Sequence, residues 1–244
     1  LTVIAGVAGS GKSSLMQAFV KACDEPVIEI GQKDIGVSLR STPATYLGIQ
    51  EAIRDLFARQ TGTEKSLFSF NAQGACPACG GKGVIVSDMA FMDRIETVCD
   101  LCHGARYHEK VLSYRVGGKS IAEVMALSVD EAIDFFAGEK FIAKLRALSQ
   151  VGLGYVCLNQ ALSTLSGGEL QRVKLASNLG AKGRIFLIDE PSSGLHLHDI
   201  HYLAALFDRL VDQGNTLFLI EHSLEFIKRA DYLIELGPGG GNEG

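Results

Sequence analysis

Short apolar runs alternate along this chain with stretches whose apolar residues recur every three to four positions. Leu1–Ala5 and Val27–Ile30 read as short strands rich in β-formers. Arg184–Ile188 and Thr216–Ile220 read as buried parallel strands, short and apolar with polar residues at both ends, and Asp231–Leu236 as a last strand. Between them lie helical patterns. Ser13–Cys23 carries Leu15, Ala18, Phe19 and Ala22 on one face. Pro43–Gln60 reads as one helix, with Pro43 in its first turn and Ile49, Ile53, Leu56 and Phe57 along one side. Ser120–Gln150 is helical, with Ser128-Val129-Asp130-Glu131 as a capping box, and Gly167–Leu179 is a helix ended at Gly180. Leu197–Val211 is a crossover helix between two strands. This alternation predicts an α/β protein with a mostly parallel sheet covered on both faces. Only Phe70–Tyr107 breaks the pattern: it is rich in Gly and Cys and poor in periodicity, and reads as an insertion.

The first strand runs into Gly6-Val7-Ala8-Gly9-Ser10-Gly11-Lys12-Ser13-Ser14, and a helix follows. Strand, glycine loop and helix in that order form the setting of a phosphate-binding loop. Gly6, Gly9 and Gly11 leave backbone N–H groups bare for an anion, with Ser10 and Ser14 beside them. Lys12 supplies a positive charge for the β- and γ-phosphates, and the Ser13 hydroxyl is a ligand for Mg²⁺. Asp189 closes an apolar strand and is a second Mg²⁺ ligand; Glu190 beside it is placed to polarise the attacking water. His222 follows the next apolar strand and is a candidate γ-phosphate contact, although a lone His at a strand end is often structural.

Leu165-Ser166-Gly167-Gly168-Glu169-Leu170-Gln171 sits about twenty residues before Asp189. Ser166, Gly167 and Gly168 at a helix start offer a second set of free N–H groups to an anion. With the phosphate loop and the Asp-Glu pair, this segment resembles the signature of ATP-binding-cassette ATPases. In that family the signature of one cassette closes over the nucleotide held by another, so the resemblance implies a homodimer or a second cassette in the parent chain. Gln32 stands where the family carries a Mg²⁺-sensing glutamine, and Ser192-Ser193-Gly194-Leu195-His196 looks like the loop that crosses between cassettes.

Cys76-Pro77-Ala78-Cys79 and Cys99-Asp100-Leu101-Cys102 are separated by nineteen residues. Two C-x-x-C knuckles at this spacing predict a structural four-cysteine zinc site, since four thiolates leave no open position for catalysis. His103 and His108 are alternative ligands, and paired redox thiols are the competing reading. Cys23 and Cys157, in apolar settings, are expected in the core.

A cysteine module between the Gln32 segment and the signature makes the chain similar to the UvrA family, the damage-recognition subunits of the bacterial excinuclease, and specifically to their second cassette. Arg40–Tyr46, Phe68–Asn71, both knuckles, Gly104–Tyr107, Val151–Tyr155, Leu165–Leu175, Asp189–His196, Glu221-His222 and Glu235–Pro238 carry the resemblance. It implies a P-loop ATP-binding-cassette domain whose inserted helical signature domain bears a four-cysteine zinc module. It also implies ATP, Mg²⁺ and Zn²⁺ as cofactors and ATP-gated dimerisation. The implied partners are double-stranded DNA and an excinuclease helicase subunit, in DNA repair or a related drug-resistance role. The division expected is 1–69 and 165–244 for the ATPase core, 70–110 for the zinc insertion and 111–164 for the helical signature domain. The nucleotide-binding subunit of a membrane transporter is the alternative, since the phosphate loop, signature and His222 fit it equally well.

Bulk properties add limits. The 244 residues are enough for one large domain or a core with an insertion, without disulfide staples. A net charge of -5 gives no global support for nucleic-acid binding. Residues 76–110 hold four Lys/Arg (Lys82, Arg94, Arg106, Lys110) against five acids, which is no basic stripe. Such a DNA surface would be local. No apolar run approaches the roughly 18 residues of a membrane span, and no secretory leader opens the chain, so a cytoplasmic protein without a membrane partner is expected. The start at Leu1 inside a strand and the glycine-rich end read as a fragment trimmed from a longer chain.

Overall fold

The computed structural model describes residues 1–31, 41–87 and 95–237. Gln32, the residues around it up to Arg40, Arg94 and Pro238 lie outside them. In chain order the elements are β1 (Thr2–Gly6), α1 (Lys12–Ala22), β2 (Val27–Ile30), α2 (Pro43–Tyr46), α3 (Ile49–Thr61), β3 (Val84–Ser87) and β4 (Ile95–Val98). Four helices follow: α4 (Glu109–Leu112), α5 (Ile121–Met125), α6 (Val129–Phe135) and α7 (Ile142–Gln150). The chain then forms α8 (Gly167–Asn178), β5 (Ile185–Asp189), α9 (Leu197–Asp212), β6 (Thr216–Ile220), α10 (Leu224–Ile227) and β7 (Tyr232–Leu236).

These elements fall into two compact units. One comprises Leu1–Gly36, Ala147–Gly154 and Leu165–Gly244; the other comprises Val37–Arg146 and Tyr155–Thr164. Residues 43–69, assigned from sequence to the ATPase core, therefore fall in the second unit instead, where Phe68 packs on Tyr114 and its carbonyl accepts the Tyr107 hydroxyl at 3.5 Å.

The first unit is built on a five-stranded sheet of order β2-β5-β6-β1-β7, parallel at every pairing. Its strands are short and apolar because their inner members face packed helices rather than water. Ile4, Met16, Leu187 and Ile220 form a buried cluster with Val20, Val27, Phe218 and Leu236 around it, and the Phe19 and Phe218 rings lie 4.7 Å apart. Phe207 of α9 meets Phe226 of α10 at 5.5 Å. Coverage fails at β7, where Tyr232, Leu233 and Ile234 are 73%, 49% and 39% exposed among the described residues. The sheet is thus not sheathed on both faces along its whole width.

The second unit is helical and carries a small antiparallel hairpin, β3–β4, which the sequence pattern did not reveal. Both faces of β4 are exposed, so no alternation of apolar and polar residues marks it. The expected single helix over 43–60 is two helices. Gly48 turns left-handed at φ 68°, and the Lys144 ammonium takes the Leu47 carbonyl at 2.7 Å. The Ser128 helix start behaves as read, exchanging hydrogen bonds with Glu131 in a capping box at α6, and Ser120 does the same with Glu123 at α5. Phe57, Phe68 and Tyr114 stack in series, while Tyr107 packs on Phe70. Cys23 and Cys157 are half-buried rather than core residues. No helix among the described residues is long and apolar enough to cross a membrane.

Candidate functional site

The C-terminal ends of β2, β5 and β6, with the loop that follows β1, border an open cleft of about 560 Å³. Such ends are where an open parallel sheet takes a ligand. Its walls include Gly9, Lys12, Ser13, Gln17, Asp189 and Glu190. Five residues singled out in separate parts of the sequence therefore share one wall.

The phosphate loop curls between β1 and α1. Gly6 makes the curl at φ 145°, and a Cβ there would strike the Leu236 carbonyl, so β7 packs against the loop through a glycine. Gly11 caps α1 at φ 91° with no side-chain hydrogen bond, which leaves the first N–H groups of the helix free among the described residues. Lys12 Nζ reaches back inside the loop to the carbonyls of Gly6 at 2.7 Å and Val7 at 2.9 Å, and the residue is 8% exposed. Ser10 Oγ is buried without a protein partner. A ring of donors with one buried cation is suited to polyphosphate.

Asp189 and Glu190 stand at the end of β5. Partial burial raises the Asp189 carboxyl above its ordinary value, the charge of Glu190 adds to the rise, and Lys12 works against it. A divalent cation would relieve this strain between acids. Glu190 is left-handed at φ 47°, a costly conformation for a non-glycine residue, and its N–H is tied to the Ile220 carbonyl at 2.9 Å. The strain turns the chain sharply at the end of β5, into Pro191.

The first residues of the signature segment lie off the cleft wall. Ser166 caps α8: its Oγ accepts the Glu169 N–H at 3.3 Å, and Glu169 Oε2 accepts the Ser166 N–H at 2.7 Å. Gly168 sits close to the Ser193 carbonyl, near enough that a Cβ would crowd it. Ser166, Gly167 and Gly168 are not among the residues lining the cleft, nor is His222, which is exposed.

Two residues that the sequence reading did not weigh hold the site together. Gln171, 3% exposed, donates from Nε2 to the carbonyls of Asp189 at 2.7 Å and Ile30 at 3.2 Å. Glu221, 2% exposed, accepts the backbone N–H groups of Ser192, in the turn after Glu190, and of His222. Polar residues inside a signature and at a strand end gave the only hint of either.

In the second unit the four knuckle cysteines come together, with all four sulfurs within 4.8 Å of one another and each residue at most 7% exposed. Cys76 and Cys99 sulfurs are 3.9 Å apart, and Cys79 and Cys102 sulfurs 3.7 Å. A tetrahedral site with metal–sulfur bonds of about 2.3 Å has edges of about 3.8 Å, which those two separations match. Each knuckle turns alike: Gly80 N–H bonds the Cys76 carbonyl and His103 N–H the Cys99 carbonyl, both at 2.8 Å. Gly83 N–H points at Cys79 sulfur at 3.2 Å. Burial works to raise the Cys79 thiol, but that N–H and bonds from its neighbours bring it down to about 7, whereas burial pushes Cys102 up to about 12. The sulfurs share protons that a metal ion would displace. The Arg106 guanidinium lies over the Phe70 ring at 5.3 Å with one nitrogen buried and unpaired, and burial lowers its pKa. His103 is exposed and left-handed, and His108 Nδ1 caps α4, so neither joins the cluster.

The family model described as "ABC transporter" matches residues 1–193. The chain is an ATP-binding-cassette ATPase. The cassette takes ATP with Mg²⁺ and hydrolyses it, as that family does. It is 44% identical over 274 residues to UvrABC system protein A of Thermus thermophilus and 43% identical over 276 residues to that of Bacillus subtilis. These alignments cover 99% and 100% of the cassette but 29% of either relative. The crystal structure of UvrA2 from Deinococcus radiodurans superposes with a TM-score of 0.89 at 38% identity, covering 100% of the cassette and 33% of that chain. The cassette thus spans about three tenths of the length of the proteins it matches.

Proposed function

We propose that this cassette is an ATP-driven module of a DNA-damage-recognition protein similar to UvrABC system protein A, in excision repair or a related resistance role. One observation carries the proposal: the buried four-cysteine quartet in the second unit, within a chain whose whole length aligns with those proteins. The family model is described by the transporter alternative's name, but the relatives that align with the chain over nearly its whole length favour the repair reading.

In this reading the free N–H groups of the loop around Gly9, Gly11, Ser13 and Ser14 hold the phosphates, and Lys12 turns from the loop carbonyls to the β- and γ-phosphates. Ser13 and Asp189 hold Mg²⁺ with Gln32. Glu190 polarises water, and His222 contacts the γ-phosphate. Ser166, Gly167 and Gly168, away from the cassette's own cleft, serve the nucleotide of a second cassette, so ATP draws two cassettes together. Cys76, Cys79, Cys99 and Cys102 hold Zn²⁺, which fixes the shape of the module. Duplex DNA is the substrate surface, an excinuclease helicase subunit a further partner, and the cytoplasm the compartment.

The test is a fluorescence-anisotropy titration of the full-length parent protein against plain and lesion-bearing duplexes, with ADP and then ATP, at stated salt. Lesion preference that depends on the nucleotide is expected. Absence of duplex binding at moderate salt would refute the DNA reading.

A further inference from the structure

Three backbone segments meet at one buried residue, two of them at its carboxylate. Glu221 directly follows β6, and its own N–H is fixed to the Ile4 carbonyl of β1, the strand that feeds the phosphate loop. Its side chain then divides. Oε1 accepts the N–H of Ser192 at 2.7 Å, in the turn after Glu190. Oε2 accepts the N–H groups of His222 at 2.9 Å and Ser223 at 3.2 Å. A carboxylate that is 2% exposed persists only if its charge is met, and here three N–H dipoles meet it, with no cation paired to it among the described residues. Its charge also reaches Asp189, whose carboxyl it helps to raise.

The connectivity has a mechanical consequence. The Ser192 turn carries Ser193, whose carbonyl lies against Gly168 of the signature helix. The other loop carries His222. One side chain with two separate acceptor atoms links them, so a displacement of either loop is passed to the other unless a buried acceptor is left unpaired. We propose that Glu221 is a positioning residue for ATP hydrolysis, its two carboxylate oxygens locking the Ser192 turn and the His222 loop into one moving part. Contact at the signature side then sets the position of His222, and the two nucleotide sites of a cassette pair fire in concert. The inference rests on the reading of His222 as the γ-phosphate contact.

Glu221→Gln in the full-length parent protein tests it. An amide of the same size has one acceptor oxygen, so it can serve one loop and presents an N–H₂ to the other. Expected are a kcat at least tenfold lower, a KM for ATP and a fluorescent-ATP affinity within twofold of the unmutated protein, and a Hill coefficient falling towards one. A turnover within twofold, or kcat and nucleotide affinity falling together with the melting temperature, overturns the proposal. His222→Ala is assayed alongside. If it turns over normally, the reading of His222 fails; if it is slow while Glu221→Gln is normal, only the role of Glu221 fails. Should the Gln variant not fold, amide hydrogen exchange on the unmutated protein decides. Ser192, His222 and Ser223 should share one protection factor that shifts together with a non-hydrolysable ATP analogue, and independent opening of the two loops overturns the coupling.

Discussion

Gln171 offers the sharpest test of how the first unit is held. Its amide, buried in α8, donates to Asp189 on β5 and Ile30 on β2, so one side chain fixes the ends of two strands beside the cleft. Gln171→Met keeps the length and most of the volume, leaving little cavity, and removes both bonds. Each neutral hydrogen bond has a net worth of about 1 kcal/mol, so a loss of about 2 kcal/mol is expected, near the upper end if both carbonyls stay dry. For a chain of this size that is a fall of about 4–8 °C in melting temperature. Urea denaturation should give a lower midpoint at unchanged slope. The carbonyl of Asp189 is one of the two acceptors, so Mg²⁺-dependent nucleotide affinity should fall severalfold as well. A midpoint shift equivalent to less than about 0.5 kcal/mol would mean that water or the backbone replaces the amide, and the bracing argument fails.

Other outcomes follow from the same geometry. Lys12→Ala should abolish ATP binding in an equilibrium dialysis assay, since it removes the one buried cation among the described residues of the cleft wall. Glu190→Gln should still bind ATP but lower turnover on the order of a hundredfold and accumulate paired cassettes on gel filtration. Cys99→Ser should release one Zn²⁺ per chain by metal analysis and raise proteolysis within residues 76–107, while the first unit melts within about 1 kcal/mol of its former stability, because the quartet lies wholly in the second unit. In acid, the Ser120 N–H and hydroxyl, with Arg115, hold the Glu123 carboxyl at about 2, down from 4.5. A depressed carboxyl stabilises the fold above its unfolded pKa, so this contribution is full above about pH 4.5 and vanishes as pH falls through about 2. The melting difference between the unmutated chain and Glu123→Gln should close over that window.

The sequence alone determined what depends on local chemistry. Glycines spaced around Lys12, an acid pair after an apolar run, and two C-x-x-C pairs each require specific residue types at fixed short spacing, so the phosphate loop, the end of β5 and the quartet were legible. Strands β5 and β6 were also legible, because a strand buried on both faces is a largely apolar run. Tertiary structure alone decided what depends on residues far apart in the chain. The break at Gly48 comes with a lysine 96 residues later capping the Leu47 carbonyl. The hairpin β3–β4 leaves both faces of β4 in water, so that strand carries no periodicity. Residues 43–69 joined the second unit because their aromatic partners lie there. The roles of Gln171 and Glu221 come from backbone groups 18 to 141 residues away that only the closed sheet brings within 3.2 Å. A buried hydrogen bond is satisfied by whatever the fold places opposite it, and one polar letter in a sequence does not name its partner.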